Sequence, residues 1–274
     1  MTLKIAIIGC GYLGMAVASR LQKRGYFVTA TTRTPARLDA LGKVAQKAVL
    51  LREADETTLA LLAQENDALI LTLAADHAQA YESTYLSTAQ ALRKIAPSTS
   101  LPRTVIYTSS TAVYGDHKGQ WVDENSPCSP PSDTAAILLE TENVLLSLTE
   151  YQWTVCLLRL AEIYGPGREL SQKVAQLSGK NAPGTGSQHT NMIHRDDAAS
   201  AIEYALVHKL RGIYNLSDDD HPTRKEFYAA LAKQASLPAP SWDPSLPSMR
   251  LGDKRISNHK IKAAGFQFSH PHRF

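Results

Sequence analysis

Residues 4–25 read KIAIIGCGYLGMAVASRLQKRG. KIAIIG is a continuous apolar run, the pattern of a strand buried on both faces of a sheet. Beyond it, Met15, Val17, Ala18 and Leu21 fall at helical spacing, and Gly25 stops the pattern. Between the two lies GCGYLG (9–14), which fits G-x-G-x-x-G. Glycines cluster in many loops, so the string by itself says little. Its place between a strand and a helix, at the head of a strand–helix–strand series, gives it meaning. Gly9 permits a tight turn, Gly11 lets the main chain approach a pyrophosphate, and Gly14 allows close helix–strand packing. Tyr12 and Leu13 open the helix, whose unpaired N–H groups favour an anion. The stretch therefore reads as a dinucleotide-binding turn; the alternative is a plain strand–helix connection.

Working outward, the alternation continues. FVTATT (27–32) is strand-like, and LDALGK and TLALLAQEN are helical pieces around a short strand near AVLL. DALILTLAA (67–75) is a buried strand, and AQAYESTYLSTAQALRKIA is a long amphipathic helix ended by Pro97. RTVIYTSS (103–110) is a strand, PPSDTAAILLETENVLLSL a helix and WTVCLLRL (153–160) a further strand. Strands separated by helices predict an α/β fold with a doubly wound parallel sheet, because parallel neighbours need crossover connections. After about residue 161 loops, Gly and Pro increase. PGTGSQH (183–189) and SLPAPSWDPSLPS (236–248) look irregular around the helices AASAIEYALVHKL and RKEFYAALAKQA. The expected division is a dinucleotide domain over 1–160 and a small C-terminal substrate-binding lobe over 161–274 that shares the sheet.

Composition narrows the function. The 274-residue chain is 43% hydrophobic and 20% charged, enough for a sizeable core. A net charge of +3, with no basic block interleaved with aromatics, argues against nucleic acid. The basic stretch RLGDKRISNHKIK (250–262) reads as a solvated helix face. Cys10, Cys128 and Cys156 form no metal or redox spacing and read as reduced thiols of a cytoplasmic protein. The apolar run at the N-terminus is too short for a signal sequence, and no run approaches the ~20 residues of a membrane helix. No metal site is expected; His270 and His272 read as exposed tail.

The second strand ends in Thr31, Thr32, Arg33 and Thr34, with Arg37 close behind. NAD binders place a carboxylate near this point for the ribose 2′-OH. A guanidinium instead suits a 2′-phosphate. Thr32 and Arg33 therefore point to NADP, with NAD as the alternative cofactor and a solvated loop residue as the alternative for Arg33. Leu73, Ala74, Thr108 and Leu160 stand at or just past the carboxyl ends of later strands, where a doubly wound sheet binds its ligand, and join the cofactor set.

Several later segments carry a family pattern. RTVIYTSSTAVYGD (103–116), LLRLAEIYGPGR (157–168), NMIHRDDAASAI (191–202), GIYNLSDD and KRISNHKIKAAGF resemble the extended short-chain dehydrogenase/reductases, the NAD-dependent epimerase/dehydratase family. The resemblance spans nearly the whole chain. Ala161 replaces a usual proline, and G-x-G-x-x-G replaces the main branch's G-x-x-G-x-x-G, which fits the atypical, YeeZ-like branch. The resemblance implies a Rossmann NAD(P) domain, a substrate lobe, a catalytic Ser or Thr after the fifth strand and a Tyr-x-x-x-Lys pair on the next helix. Relatives often dimerise through helices flanking the active-site strand, which implies a homodimer.

Carried onto this chain, the hydroxyl position falls on Ser110, beside Ser109; the alternative is a polar strand end whose hydroxyls cap main-chain groups. The tyrosine and lysine positions fall on Thr134 and Leu138, and residues 131–143 contain neither residue type. Losing a positioned general acid costs about 10²–10⁴-fold in rate. Substitute donors are Tyr114 on the active-site loop, Glu162 and Tyr164 beyond the sixth strand, and His194, whose alternative is an imidazole tying a strand end to main chain. Arg168 could hold an anionic substrate or sit on the surface at a helix start. The expected function is an NADP-dependent oxidoreductase or epimerase-like enzyme on a carbonyl or alcohol, with substrate residues Glu162, Arg168 and His194. The alternatives are a catalytically silent dinucleotide sensor and a vacant Rossmann fold.

Overall fold

Apolar runs hydrophobic on both faces must be covered twice, and here they pair side by side with helices on either face. In the computed structural model, residues 2–53, 55–99, 103–246 and 252–274 are described. Positions 247–248 and 250–251, the edges of two stretches read above, lie outside them. Among the described residues the main sheet has β1 (Lys4–Ile8), β2 (Phe27–Thr32), β3 (Lys47–Leu50), β4 (Ala68–Leu71), β5 (Thr104–Ser110), β6 (Thr154–Leu160) and β7 (Gly212–Leu216). Their order is β3-β2-β1-β4-β5-β6-β7. Ile5 stands opposite Val28 on one side and Ala68 on the other, both in parallel register. The chain runs outward from β1 in one direction through β2 and β3, then returns to β4 on its other side. The carboxyl ends of β1 and β4 are thus the topological switch point, where such sheets bind ligands. The architecture is the expected Rossmann-like α/β fold.

The helices are α1 (Tyr12–Lys23), α2 (Leu38–Leu41), α3 (Glu56–Glu65), α4 (Ser87–Ile95), α5 (Asp133–Leu146), α6 (Leu170–Leu177), α7 (Arg195–Val207), α8 (Arg224–Gln234) and α9 (His259–Ala263). Leu59, Leu92 and Leu145 pack against Leu69, Val105 and Leu157 of the sheet, all buried. Ser132 caps α5, accepting from the Ala135 N–H at 3.3 Å. Glu142 of α5 receives the Arg159 guanidinium of β6 through contacts of 2.6–3.2 Å, with both side chains almost fully buried. This forked pair fixes the rotation of α5 against the sheet, and breaking one side would strand a buried charge.

The chain divides into two compact units. The first takes the chain through Ser110 with Ser132–Arg159 and Ala198–Tyr214; the second takes Thr111–Pro131, Leu160–Asp197 and Asn215–Phe274. In the second unit three short parallel pairs join Glu162–Tyr164 to Met192–His194, Asn181–Pro183 to Ser241–Asp243, and Trp121–Val122 to Arg255–Ile256. Tyr164, Val174, Met192, Phe227 and Leu231 form its apolar cluster.

Three expectations need correction. The helical run expected over 78–96 is continuous but not α-helical throughout: Ala78–Ala80 and Ala96–Ser98 are tighter 3-10 turns, and Glu82–Leu86 is a π-helical turn leading into α4. The wider turn keeps Leu86 buried and leaves the Tyr81 and Tyr85 rings 5.1 Å apart. The basic stretch 250–262 is no continuous solvated helix. Asp253 binds the His189 main-chain N–H and ring at 2.7 and 2.9 Å, Lys254 donates to the Gly115 carbonyl, and Arg255–Ile256 is a strand. The tail is not loose either. Arg273 sends a fork into Asp218 at 2.7 and 2.9 Å with both side chains inaccessible, and His272 meets Asp220 at 2.9 Å. In the last two cases charged side chains that sequence spacing leaves solvated find partners remote in the chain.

Candidate functional site

The switch point of the first unit holds the glycine turn. Gly9 follows β1 at φ +86°, and its N–H donates to Thr31 Oγ1 at 3.1 Å. The Cys10 N–H donates to the Thr31 carbonyl at 2.9 Å, tying the turn to the end of β2. From β4's side, Thr72 Oγ1 donates to the Gly9 carbonyl at 2.9 Å. A Cβ on Gly9 would lie 3.0 Å from Leu73 Cα and Thr72 O. One on Gly14 would lie 2.6 Å from Thr72 Oγ1 and 3.0 Å from the Gly9 carbonyl. Packing therefore demands glycine at both positions. At Gly11 a Cβ would meet nothing nearer than the Gly9 carbonyl at 4.0 Å. The protein's own packing leaves that position open. Gly11 starts α1 with no side-chain cap and no acid in the first turn, so the positive end of the helix dipole is not neutralised from within. Leu13 is buried and contributes its side chain to the core.

Beside this turn is a cavity of about 300 Å³. Gly9, Gly11, Thr32, Arg33, Leu73 and Ala74 line it, so one cleft gathers six of the expected cofactor residues. Arg37 reaches back into the turn, donating to the Cys10 carbonyl at 3.1 Å. Burial pushes the Cys10 thiol up to about 12, with Arg37 opposing, so this cysteine stays neutral. Among the further lining residues not read from the sequence are Arg52, Glu53, Asp76 and Thr84. Arg52 and Glu53 follow β3, and Asp76 follows β4, so proximity to strand carboxyl ends was the signal available for them. Arg33 pairs with Asp76 at 2.6 Å and donates to the Ala74 carbonyl at 3.4 Å.

Thr108, Ser109 and Ser110 end β5. Thr108 spends its hydroxyl on the Leu71 carbonyl at 3.1 Å, which holds β5 to β4. Ser109 is buried and Ser110 half-buried. On α5, the Thr134 hydroxyl lies 3.0 Å from Ser132 Oγ at the cap, and Leu138 is buried. Both positions serve the helix and the core.

Tyr12 opens α1 in the first unit, whereas Tyr114, Glu162, Arg168 and His194 lie in the second, together with Leu160 at the end of β6. Tyr114 is fully buried and its hydroxyl donates to Asn215 Oδ1 at 2.8 Å. In this position the phenol ties the loop after β5 to β7. Glu162 is exposed and pairs with Lys173. Arg168 closes a turn through main-chain bonds with Gly165. His194 accepts from the Asp196 N–H at 3.3 Å and stacks on His270 with ring centroids 3.7 Å apart. Burial first, then His270, lower its proton affinity, keeping the imidazole neutral. Among the described residues no cluster of three metal-ligating side chains occurs, and no helix is long and apolar enough to cross a membrane.

Comparison with known proteins agrees with this geometry. The sequence profile of the NAD dependent epimerase/dehydratase family matches residues 5–217. Protein YeeZ of Escherichia coli K12 is 34% identical, the alignment covering 98% of this chain and 96% of YeeZ. The structure of a conserved protein of unknown function from Silicibacter pomeroyi DSS superposes with a TM-score of 0.79 at 24% identity, covering 99% of this chain and 95% of the other. UDP-glucose 4-epimerase of Thermus thermophilus, solved in complex with NAD, superposes with a TM-score of 0.78 at 20% identity over 97% and 94% of the two chains. Matched over most of its length in sequence and carrying the glycine turn at its switch point, this chain belongs to the NAD dependent epimerase/dehydratase family.

Proposed function

We propose that this chain binds NADP and is an oxidoreductase or epimerase-like enzyme acting on a carbonyl or alcohol. The observation that carries the reading is Gly11. Its missing side chain has no internal packing reason, yet it opens onto the cavity at an uncapped helix start. A pyrophosphate is the group whose close approach requires that opening. The main chain of Gly9–Gly14 and the first N–H groups of α1 would hold the diphosphate. Arg33 and Arg37, in the same cavity, favour a 2′-phosphate over a bare ribose. The bound nicotinamide would supply the hydride chemistry. Ser110 would donate a hydrogen bond to the substrate oxygen. With no titratable group at 134 or 138, proton delivery falls to water or to the substrate, which restricts the enzyme to reactions needing little acid assistance.

Thermal unfolding with NADP(H), NAD(H) and no ligand tests this. At about 100 times Kd a ligand stabilises the native state by about 2.7 kcal/mol, and NADP(H) should give the larger rise in melting temperature. No rise with either dinucleotide would refute the reading. Turnover is then followed at the reduced-nicotinamide absorbance with sugar nucleotides, ketones and aldehydes. Activity that survives Ser110→Ala undiminished would refute the role of that hydroxyl.

A second reading has an observation of its own. Where members of the family it resembles carry a tyrosine and a lysine, α5 offers a threonine hydrogen-bonded to the capping Ser132 and a buried leucine. A dinucleotide sensor without turnover fits that helix. It predicts tight binding and no oxidation across the whole substrate panel.

A further inference from the structure

The end of β2 carries no acid, yet the structure brings one there from another strand. Asp76, in the loop after β4, lines the dinucleotide cavity and meets Arg33 Nη2 with Oδ1 at 2.6 Å. The same guanidinium nitrogen donates to the Ala74 carbonyl at 3.4 Å, so it is held between two groups of one loop. Three guanidinium groups, Arg33, Arg37 and Arg52, and two carboxylates, Glu53 and Asp76, line this cavity. Arg37 has one nitrogen committed to the Cys10 carbonyl. The lining therefore carries an excess of a single positive charge and is not strongly basic, and Asp76 is the carboxylate paired with the arginine best placed for a phosphate.

The geometry points to Asp76 as the residue that sets the selectivity between NADP and NAD, an inference that rests on reading this cavity as a dinucleotide site. A 2′-phosphate must displace the carboxylate from Arg33 and then sit beside it as a like charge. A ribose diol meets the same carboxylate as a hydrogen-bond acceptor. Asp76 thus opposes the phosphate and favours the bare ribose, narrowing a preference that Arg33 alone would make wide. The pair can be displaced because it is exposed: the Asp76 side chain keeps 76% of its accessible surface, and such pairs are weak. Each cofactor accordingly meets a different partner, with Arg33 serving the phosphate and Asp76 the diol.

The test is the affinity for NADP and for NAD, measured by titration on the full chain carrying no substitution, Asp76→Asn, Asp76→Ala or Arg33→Ala. Melting temperature without ligand checks folding, which an exposed loop residue leaves intact. Removing one charge about 5 Å from a phosphate dianion should tighten NADP about tenfold. NAD should not tighten, so the preference for NADP widens about tenfold or more in both Asp76 variants. Arg33→Ala should weaken NADP selectively. If it does, and neither Asp76 variant moves the ratio beyond twofold, the role of Asp76 is overturned while the dinucleotide reading stands. If Arg33→Ala leaves NADP affinity unchanged, the 2′-phosphate assignment falls and Asp76 falls with it. If neither dinucleotide binds the unsubstituted chain, the functional reading itself is refuted.

Discussion

Gly11→Ala and Gly14→Ala add the same methyl group three residues apart, and the structure demands opposite outcomes. At Gly14 the new Cβ would lie 2.6 Å from Thr72 Oγ1 and 3.0 Å from the Gly9 carbonyl. Thr72 cannot swing away freely, because its hydroxyl donates to that same carbonyl at 2.9 Å. Overpacking costs about 1–3 kcal/mol, and the hydrogen bond put at risk is worth about 1 kcal/mol. Replacing a helical glycine returns about 1 kcal/mol of propensity. The net is a loss of about 2 kcal/mol, a fall of about 3–4 °C in melting temperature at this chain length. At Gly11 the added Cβ meets nothing inside 4.0 Å, so stability should change by no more than about 1 kcal/mol, the cost of a poorer N-cap. The NADP-dependent rise in melting temperature should vanish there, because the methyl occupies the space the diphosphate requires. Thermal unfolding of both variants, with and without NADP, reads all four numbers. A Gly11→Ala protein that keeps the full ligand-dependent rise would refute the argument, as would a Gly14→Ala protein that melts like the parent.

Other expectations follow from the same geometry. Glu142→Gln leaves the buried Arg159 guanidinium short of its counter-charge and should cost about 3–5 kcal/mol by denaturant unfolding, without changing dinucleotide affinity per folded molecule. Tyr114→Phe removes the hydrogen bond to Asn215 and should cost about 1–2 kcal/mol, while any turnover keeps its kcat; a large loss of kcat with unchanged stability would mark Tyr114 as a proton donor. His221 donates from Nδ1 to Asn191 Oδ1, which also accepts from the Ile256 N–H, and burial, with Arg273 second, pushes it down to about 4. Its folded pKa lies below the unfolded value of about 6.5, so the unfolded chain takes the proton first. Stability should fall as pH drops from about 6.5 towards 4, by up to about 3 kcal/mol from this group, and His221→Gln should flatten that limb of the pH curve.

Much of the fold was legible because strand and helix patterning is local. KIAIIG, DALILTLAA and WTVCLLRL are apolar on both faces, and only a sheet covered by helices on both sides satisfies such runs. GCGYLG carried its meaning through chain order alone, since a turn between a strand and the next helix is a contact between sequence neighbours. Where charge pairing crosses the chain, local reading ran out. The 250–262 stretch looked solvated because Gly115, His189 and the strand at 121–122, which receive it, are far away in sequence. The hydrogen bond of Tyr114 was hidden for the same reason, since its partner Asn215 lies more than a hundred positions along the chain.

By itself the amino-acid order determined the parallel α/β architecture, the position of the glycine turn and the absence of a tyrosine–lysine pair on α5, all matters of spacing along one segment. The tertiary structure alone decided that Asp76 faces Arg33, that Thr72 closes over Gly14 while Gly11 stays open, and that Arg273 is inaccessible against Asp218. Those outcomes depend on which strand ends meet at the switch point. Side-chain chemistry there is set by through-space distances of about 3 Å, which no spacing along the chain encodes.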